Sequence, residues 1–519
     1  MYRPVEGESI HYRDTRGLDP SRPTFCEVII RGIADGGGLY VPQSLPRFTL
    51  DEIIALAGLP YAERARTVFG RFGLDLPDEC LAGLLTQAYG ENFDDPATAP
   101  VREVGDGRFI LELWHGPTLA FKDMALQVLP LLFAEAVRTQ SASGRHGPEE
   151  HLILVATSGD TGTAALAGFA DTPGVRIAVF YPSAGVSDTQ RLQMVTRGGA
   201  NVAVWGIDGN FDDCQDAVKA TFTDPGFTAR LRREHNVLLS SANSINWGRL
   251  LPQIVYYLSA YADLAAAGGI AAGAALDVCV PTGNFGNILA AWYARRLGVP
   301  IERLLCASNE NNVLTDLLVT GTYDISDRPL IPTPSPAMDI LISSNVERLL
   351  FELTGDPEQV RAWADSLRAE GRFTLDRDTF AELTDAFVGA SISNNACLET
   401  IGRVHAETGY LLDPHTAVAW AAAEQLGGRR PMLIVSTAHW AKFGADVWRG
   451  LSGLTAGAPL PDDLAARPES DLLPAILDLA PGQTIPAPLA DLAGLEVRFP
   501  DVLADSPADV QRALLSWLA

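Results

Sequence analysis

Only three lysines occur in this chain, Lys122, Lys219 and Lys442, and the rest of its 39 basic residues are arginines. Chemistry that needs an amine therefore has three side chains to choose from. Lys122 follows the turn-forming run Trp114-His115-Gly116-Pro117-Thr118-Leu119-Ala120-Phe121 and opens a helical pattern at Asp123. A helix start carries partial positive charge, which favours the neutral amine over the ammonium. A neutral amine is what Schiff-base chemistry requires. Most lysines are solvated surface charges, but apolar Leu119, Ala120, Phe121 and Met124 flank this one. Lys219 sits in the helix-like Asp216-Ala217-Val218-Lys219-Ala220 and reads as a surface residue. Lys442 lies in Ser436-Thr437-Ala438-His439-Trp440-Ala441-Lys442-Phe443, directly after an apolar run. There it reads as a surface charge or as a contact for an anion.

Three further loops carry polar groups. Thr157-Ser158-Gly159-Asp160-Thr161-Gly162-Thr163 offers backbone N–H groups suited to a carboxylate or phosphate. A tight turn capped by Ser158 or Asp160 is an equal reading. No Gly-Lys-Ser/Thr follows, so it is not a P-loop. Pro281-Thr282-Gly283-Asn284-Phe285-Gly286-Asn287 has glycines that allow close backbone approach, and consecutive amides able to wrap a phosphate. It lacks the dinucleotide spacing Gly-x-Gly-x-x-Gly. Ser241-Ala242-Asn243-Ser244-Ile245-Asn246-Trp247-Gly248-Arg249 is the third.

The elements that must position these loops alternate. Apolar strand-like runs at 108–113, 151–156, 175–181, 201–206, 237–241, 276–280 and 431–436 interleave with helical patterns at 121–136, 163–170, 190–197, 211–222, 247–265 and 288–297. Such alternation predicts an α/β fold with mainly parallel sheets and flanking helices. Ligands of such sheets bind at the carboxyl ends of strands, where each of these loops begins. Residues 1–100 read as a helix-rich N-terminal domain, 101–451 as the catalytic core with a smaller α/β subdomain at roughly 123–245, and 452–519 as a loosely packed C-terminal extension ending in a helix at 508–518.

Composition narrows the function classes. Length 519 suggests two to four domains, and 47% apolar residues suffice for a sizeable core. The net charge of -25 argues against nucleic acid and anionic membranes. A small anionic substrate would need locally placed donors. The stretch Leu264–Leu276 is too short to span a bilayer, and the opening residues show no secretory pattern. Cys26, Cys80, Cys214, Cys279, Cys306 and Cys397 form no Cys-x-x-Cys pair. No metal site or disulfide scaffold is expected, and a reducing, cytoplasmic setting fits.

Together, His115-Gly116-Pro117-Thr118-Leu119-Ala120-Phe121-Lys122-Asp123, Ser158-Gly159-Asp160-Thr161-Gly162, Gly283-Asn284-Phe285-Gly286-Asn287 and Thr437-Ala438-His439-Trp440-Ala441-Lys442-Phe443 resemble the threonine synthases. Asp35-Gly36-Gly37-Gly38-Leu39-Tyr40-Val41-Pro42 is similar to the start of their longer bacterial and fungal branch. The resemblance runs from Tyr12 to Phe443. It departs at Trp440, where the family usually has Pro, and at the extra glycine in 36–38.

The resemblance implies the tryptophan-synthase-β-like fold (fold type II) and pyridoxal 5'-phosphate as cofactor. It implies that Lys122 holds the cofactor covalently, that Gly283, Asn284, Phe285, Gly286 and Asn287 cradle its phosphate, and that Thr437 places a hydroxyl by the pyridine nitrogen. Ser158, Asp160 and Thr161 are expected to face the substrate's carboxylate or phosphate, with Asn246, Arg249 and Lys442 as further contacts. The implied reaction converts O-phospho-L-homoserine and water into L-threonine and phosphate, the last step of threonine biosynthesis, in a monomer or homodimer. A related eliminase or dehydratase, or a threonine-synthase-like protein acting on another phosphorylated amino acid, are the alternatives.

Overall fold

A computed structural model describes residues 10–105, 107–144, 147, 149–183, 186–468 and 471–519. Most of the opening segment read for a secretory pattern thus lies outside the described residues. Two sheets organise the chain. The larger runs in the order Phe387–Ser391, Ile301–Ser308, Leu276–Pro281, Met432–Ser436, Arg108–Glu112, Val101–Gly105. All its neighbours are parallel except the last pair, where Val101–Gly105 runs antiparallel on the edge. The smaller sheet is wholly parallel, in the order Val502–Ala504, Val202–Asp208, Val175–Pro182, Glu150–Ala156, Val237–Ser240. The mainly parallel α/β architecture is therefore as expected.

The strands form where apolar runs can be covered on both faces. Leu152, Ile153, Val155, Ile177, Ala178 and Val179 are all fully buried. The helix Trp247–Ala266 runs through the middle of the molecule and is buried along most of its length. It packs against Gly286–Leu297, Leu50–Ala55 and Tyr61–Arg71, so the N-terminal helices close over the core rather than stand apart from it. Among the described residues no helix is long and apolar enough to cross a membrane.

Some local expectations shift. The single helix predicted over 121–136 is two, Asp123–Leu126 and Leu129–Ala142. Pro130, in the first turn of the second, has no N–H to continue the first. The strand Ile301–Ser308 escaped notice because Glu302 and Arg303 interrupt its apolar run. The tail is not loosely packed throughout. Val502–Ala504 adds a parallel strand beside Val202–Asp208, and Pro507–Leu518 packs on the helix Phe211–Thr223. Val510 and Leu514 lose all solvent contact there, together with Ile207 and Cys214.

Candidate active site

The loop carrying Lys122 is held by its own sequence. Asp123 is fully buried, and its carboxylate folds back to accept from the Thr118 N–H and the Thr118 hydroxyl, each at 2.8 Å. A Cβ on Gly116 would lie 2.5 Å from the Asp123 Cβ, so only glycine fits there. Leu119 adopts φ 60, the left-handed turn that re-aims the chain. Ala120 then bridges Ala438, and the Phe121 N–H donates to the Thr437 carbonyl at 2.7 Å. The Lys122 loop and the Thr437 loop are thus fixed to each other. His115 braces the entry between Glu112 (3.0 Å) and Asp94 (2.6 Å). Burial would lower its pKa, but the two carboxylates raise it above the usual histidine value.

The Lys122 side chain is 11% exposed, with Nζ 3.5 Å from Asp160 Oδ2 and 5.0 Å from the Phe121 ring centre. Lys442 is completely buried and places Nζ 2.8 Å from Asp160 Oδ1 and 2.7 Å from the Thr118 carbonyl. Burial would raise the Asp160 pKa, but Lys442 and Lys122 hold it well below the carboxylate range. Burial lowers the Lys122 pKa, the Asp160 charge opposes this, and the cations Lys442 and Arg249 add to it. Asp160 therefore turns its carboxylate to the two amines. Its charge makes it a poor direct contact for a substrate anion. Ser158 and Thr161, beside it, keep partly exposed hydroxyls that no described residue engages.

The loop at 283–287 is built by neighbours not singled out from sequence. Phe285 adopts φ 64 just before the helix Gly286–Leu297. Ser343 bonds the Gly283 carbonyl, and the Asn345 amide donates to the Asn284 carbonyl at 3.1 Å. The Ser344 hydroxyl reaches Asn284 Oδ1 at 3.4 Å. Asn287 accepts from Tyr256 and Tyr257 through Oδ1, at 2.7 and 2.5 Å, and its buried Nδ2 has no partner among the described residues. Arg249 is also buried. One nitrogen donates to the Ala242 carbonyl at 2.7 Å, Nε has no partner, and no carboxylate pairs with it among the described residues. Burial lowers its pKa to about 10. Two orphaned donors and a free helix N-terminus suit an anion.

Asn246 is different. It caps the helix Trp247–Ala266 through Gly248 N, and both its amide hydrogens go to the backbone carbonyls of Ile29 and Ser241. Its place is to hold the loop, with no donor left for a substrate. The Thr437 side chain is buried, and no described residue bonds its hydroxyl. His439 accepts from the Ala441 N–H, and its pKa falls to about 3, first through burial and then through His115 and Lys442. It stays neutral. Trp440 begins the tight turn Trp440–Phe443 with its ring buried, so the position that differs from the family pattern is filled by packing.

Sequence reasoning missed Asp123 as the brace of the Lys122 loop, although it lay in the quoted motif. It also missed Gln190, whose Nε2 fixes Asp160 at 2.9 Å, and the segment Ser343-Ser344-Asn345. A Ser-Ser-Asn run ahead of the helix Val346–Thr354 reads as a cap and carries no other signal. His415, buried against Phe443 and bonded to Asp413 at 2.8 Å, was likewise passed over.

An amine disfavoured as ammonium, a glycine-lined helix start, an orphaned amide donor and a free hydroxyl form a set that fits pyridoxal phosphate. Two family models match in sequence: "Threonine synthase N terminus" over residues 11–89 and "Pyridoxal-phosphate dependent enzyme" over 97–438. The chain is 43% identical over 467 residues to human threonine synthase-like 1, a match covering 87% of this chain but 62% of that protein. It is 40% identical over 462 residues to the threonine synthase of Pseudomonas aeruginosa, covering 88% and 93%. Among solved structures it resembles PLP-bound threonine synthase from Brucella melitensis, with TM-score 0.83, 36% identity and 98% and 99% of the chains covered. Yeast threonine synthase gives TM-score 0.84 and 33% identity, with the same coverage. The chain belongs to the threonine synthase family of pyridoxal-phosphate-dependent enzymes, with fold type II and pyridoxal 5'-phosphate as its cofactor.

Proposed function

We propose that the protein is a threonine synthase, a carbon–oxygen lyase converting O-phospho-L-homoserine and water into L-threonine and phosphate. The observation that carries this reading is the uneven charge around Lys122. Lys122 and Lys442 share one carboxylate, Asp160, while the buried Arg249, whose charge also acts on Lys122, has none among the described residues. A neutral substrate needs no such excess, whereas a phosphate ester does. The 40% identity to the Pseudomonas enzyme over nearly all of its length adds support.

Pyridoxal phosphate, when bound, supplies an electron sink for the carbanion at the substrate's Cα. The chain's residues do the rest. Lys122 would hold the cofactor and, as a neutral base, take the proton from the substrate's Cα. The amides at Gly283 to Asn287 and the Asn287 side chain would hold the cofactor phosphate. The Thr437 hydroxyl would offer the pyridine nitrogen a neutral partner. Arg249 would draw in the substrate phosphate, with Lys442 adding its positive charge, and the Ser158 and Thr161 hydroxyls would bind its carboxylate. Six free cysteines suit a reducing compartment such as the cytoplasm.

A second reading has one observation in its favour. The chain is 43% identical to human threonine synthase-like 1. On that reading the same site takes another phosphorylated amino acid. Incubating purified holoprotein with O-phosphohomoserine and measuring threonine and free phosphate together separates the two. Equal release of both is expected. Phosphate without threonine means simple elimination, and neither product overturns the primary reading.

A further inference from the structure

The charged groups that act on Lys122 come from three elements that the chain brings together only in the fold. Asp160 opens the helix Asp160–Phe169, and Lys442 lies in the turn after Met432–Ser436. Arg249 is in the first turn of Trp247–Ala266, and Thr118, in the Lys122 loop itself, accepts from Lys442 through its carbonyl. Asp123, His415 and His439 stand one layer further out. The Asp160–Lys442 contact is anchored at both ends. Gln190 donates to Asp160 Oδ1, and its own Oε1 accepts from the Ser187 N–H at 3.2 Å. The Ser187 hydroxyl donates to the Lys442 carbonyl at 3.2 Å. A Cβ at Gly159 would sit 2.4 Å from the Gln190 side chain, so this ring of bonds leaves no slack. Asp160 thus gives its closer contact, 2.8 Å, to Lys442 and its longer one, 3.5 Å, to Lys122.

We propose that Asp160 and Lys442 are a charge-compensated positioning pair: Lys442 takes up the Asp160 charge, so that this buried carboxylate does not hold the Lys122 amine as an ammonium. Lys442 draws the carboxylate away from Lys122 and adds its own repulsion. Asp160, in turn, makes it affordable to bury Lys442 beside a second amine. The pair makes no bond to the substrate in this role. The inference rests on the proposed function only in taking Lys122 as the cofactor lysine.

Competitive acetylation of the apoprotein with trace acetic anhydride across pH tests it, read peptide by peptide by mass spectrometry. Only the neutral amine reacts, so the pH midpoint of labelling reports the charge on Lys122. Lys219, exposed on the helix Phe211–Thr223, is the internal reference. Lys442→Met should move the Lys122 midpoint up by about one pH unit, a tenfold fall in neutral amine at fixed pH. Asp160→Asn should move it down by a similar amount. The double variant should return close to the parent. A merely structural role loosens the site in either variant and moves both midpoints up, which overturns the proposal, as does no movement. Should Lys442→Met not fold, the near-isosteric Asp160→Asn decides alone, and an upward or unchanged midpoint refutes the pair. Adding pyridoxal phosphate and borohydride to the parent protein separates this from the assignment of Lys122. No reduced adduct at Lys122 defeats that assignment whatever the labelling shows.

Discussion

Gly286 sits where an alanine would be better for the protein alone. It opens the helix Gly286–Leu297, and its φ lies outside the left-handed region. A Cβ built there meets nothing closer than Asn345 Nδ2 at 3.4 Å, an ordinary contact. Glycine in a helix costs about 0.5–1 kcal/mol relative to alanine. The apoprotein of Gly286→Ala should therefore be slightly more stable than the parent, by up to about 1 kcal/mol. The cofactor should respond in the opposite sense. If the phosphate rests on the amides of this helix start, the new methyl occupies the space it needs. One or two charge-assisted bonds at about 1.5–3 kcal/mol each would be lost. That weakens pyridoxal phosphate binding by roughly tenfold to a thousandfold or more. Gly283→Ala is the contrasting control. Its Cβ would lie 2.8 Å from the Ala337 carbonyl oxygen, so it should destabilise the apoprotein itself. Thermal melting of the apoproteins and absorbance titration with pyridoxal phosphate measure the two effects separately. A Gly286→Ala protein that binds the cofactor as tightly as the parent would refute the placement of the phosphate at this helix start.

Three other outcomes follow from the same reasoning. Burial raises the Asp123 pKa to about 6 despite the bonds from Thr118. As a raised acid it lowers stability as pH climbs from about 4 to 6, so Asp123→Asn should gain on the parent over that range in melting experiments. Asp123→Ala should instead lose about 1–3 kcal/mol for each Thr118 donor left unpaired. The raised His115 contributes stability that is complete below about 6.5 and fades as pH rises through its folded value. The melting gap between parent and His115→Gln should therefore narrow from pH 5.5 to 8.5, and a constant gap counts against the Glu112–Asp94 brace. Leu514→Ala should cost about 2–5 kcal/mol, as for a core leucine, seen in urea unfolding followed by the fluorescence of Trp205 and Trp517. A loss under about 0.5 kcal/mol would mean that the terminal helix is an appendage after all.

Some of this was legible in the sequence for a physical reason. Strands buried on both faces are written as apolar runs, and the loops after them fall at one edge of the sheet whatever the strand order. Lys122, the Gly283–Asn287 loop and Thr437 could thus be placed together without knowing which strand lies beside which. What stayed hidden depended on contacts between distant segments. Ser343, Ser344 and Asn345 carry no chemistry of their own until they meet the carbonyls of Gly283 and Asn284. Gln190 reads as a helix residue until it is found against Asp160. Asn246 was expected to serve a substrate because polar residues at strand ends often do. The fold uses it as a cap, since the first N–H groups of a long buried helix must be satisfied.

The same contacts change the meaning of the protein's net charge. A value of -25 gives the surface as a whole no attraction for a phosphate ester. Yet burial weakens screening, so local charge decides binding at the site. With Lys122 neutral, Asp160 cancels Lys442, and Arg249 remains as a buried cation with no carboxylate of its own. An unpaired buried guanidinium is costly in the empty protein, as its lowered pKa of about 10 reflects. An arriving anion removes that cost, so the desolvation already borne by the fold favours binding. Arg249→Met should on this argument stabilise the apoprotein while weakening its hold on inorganic phosphate. Loss of stability together with unchanged phosphate binding would show that Arg249 serves the Ala242 loop alone.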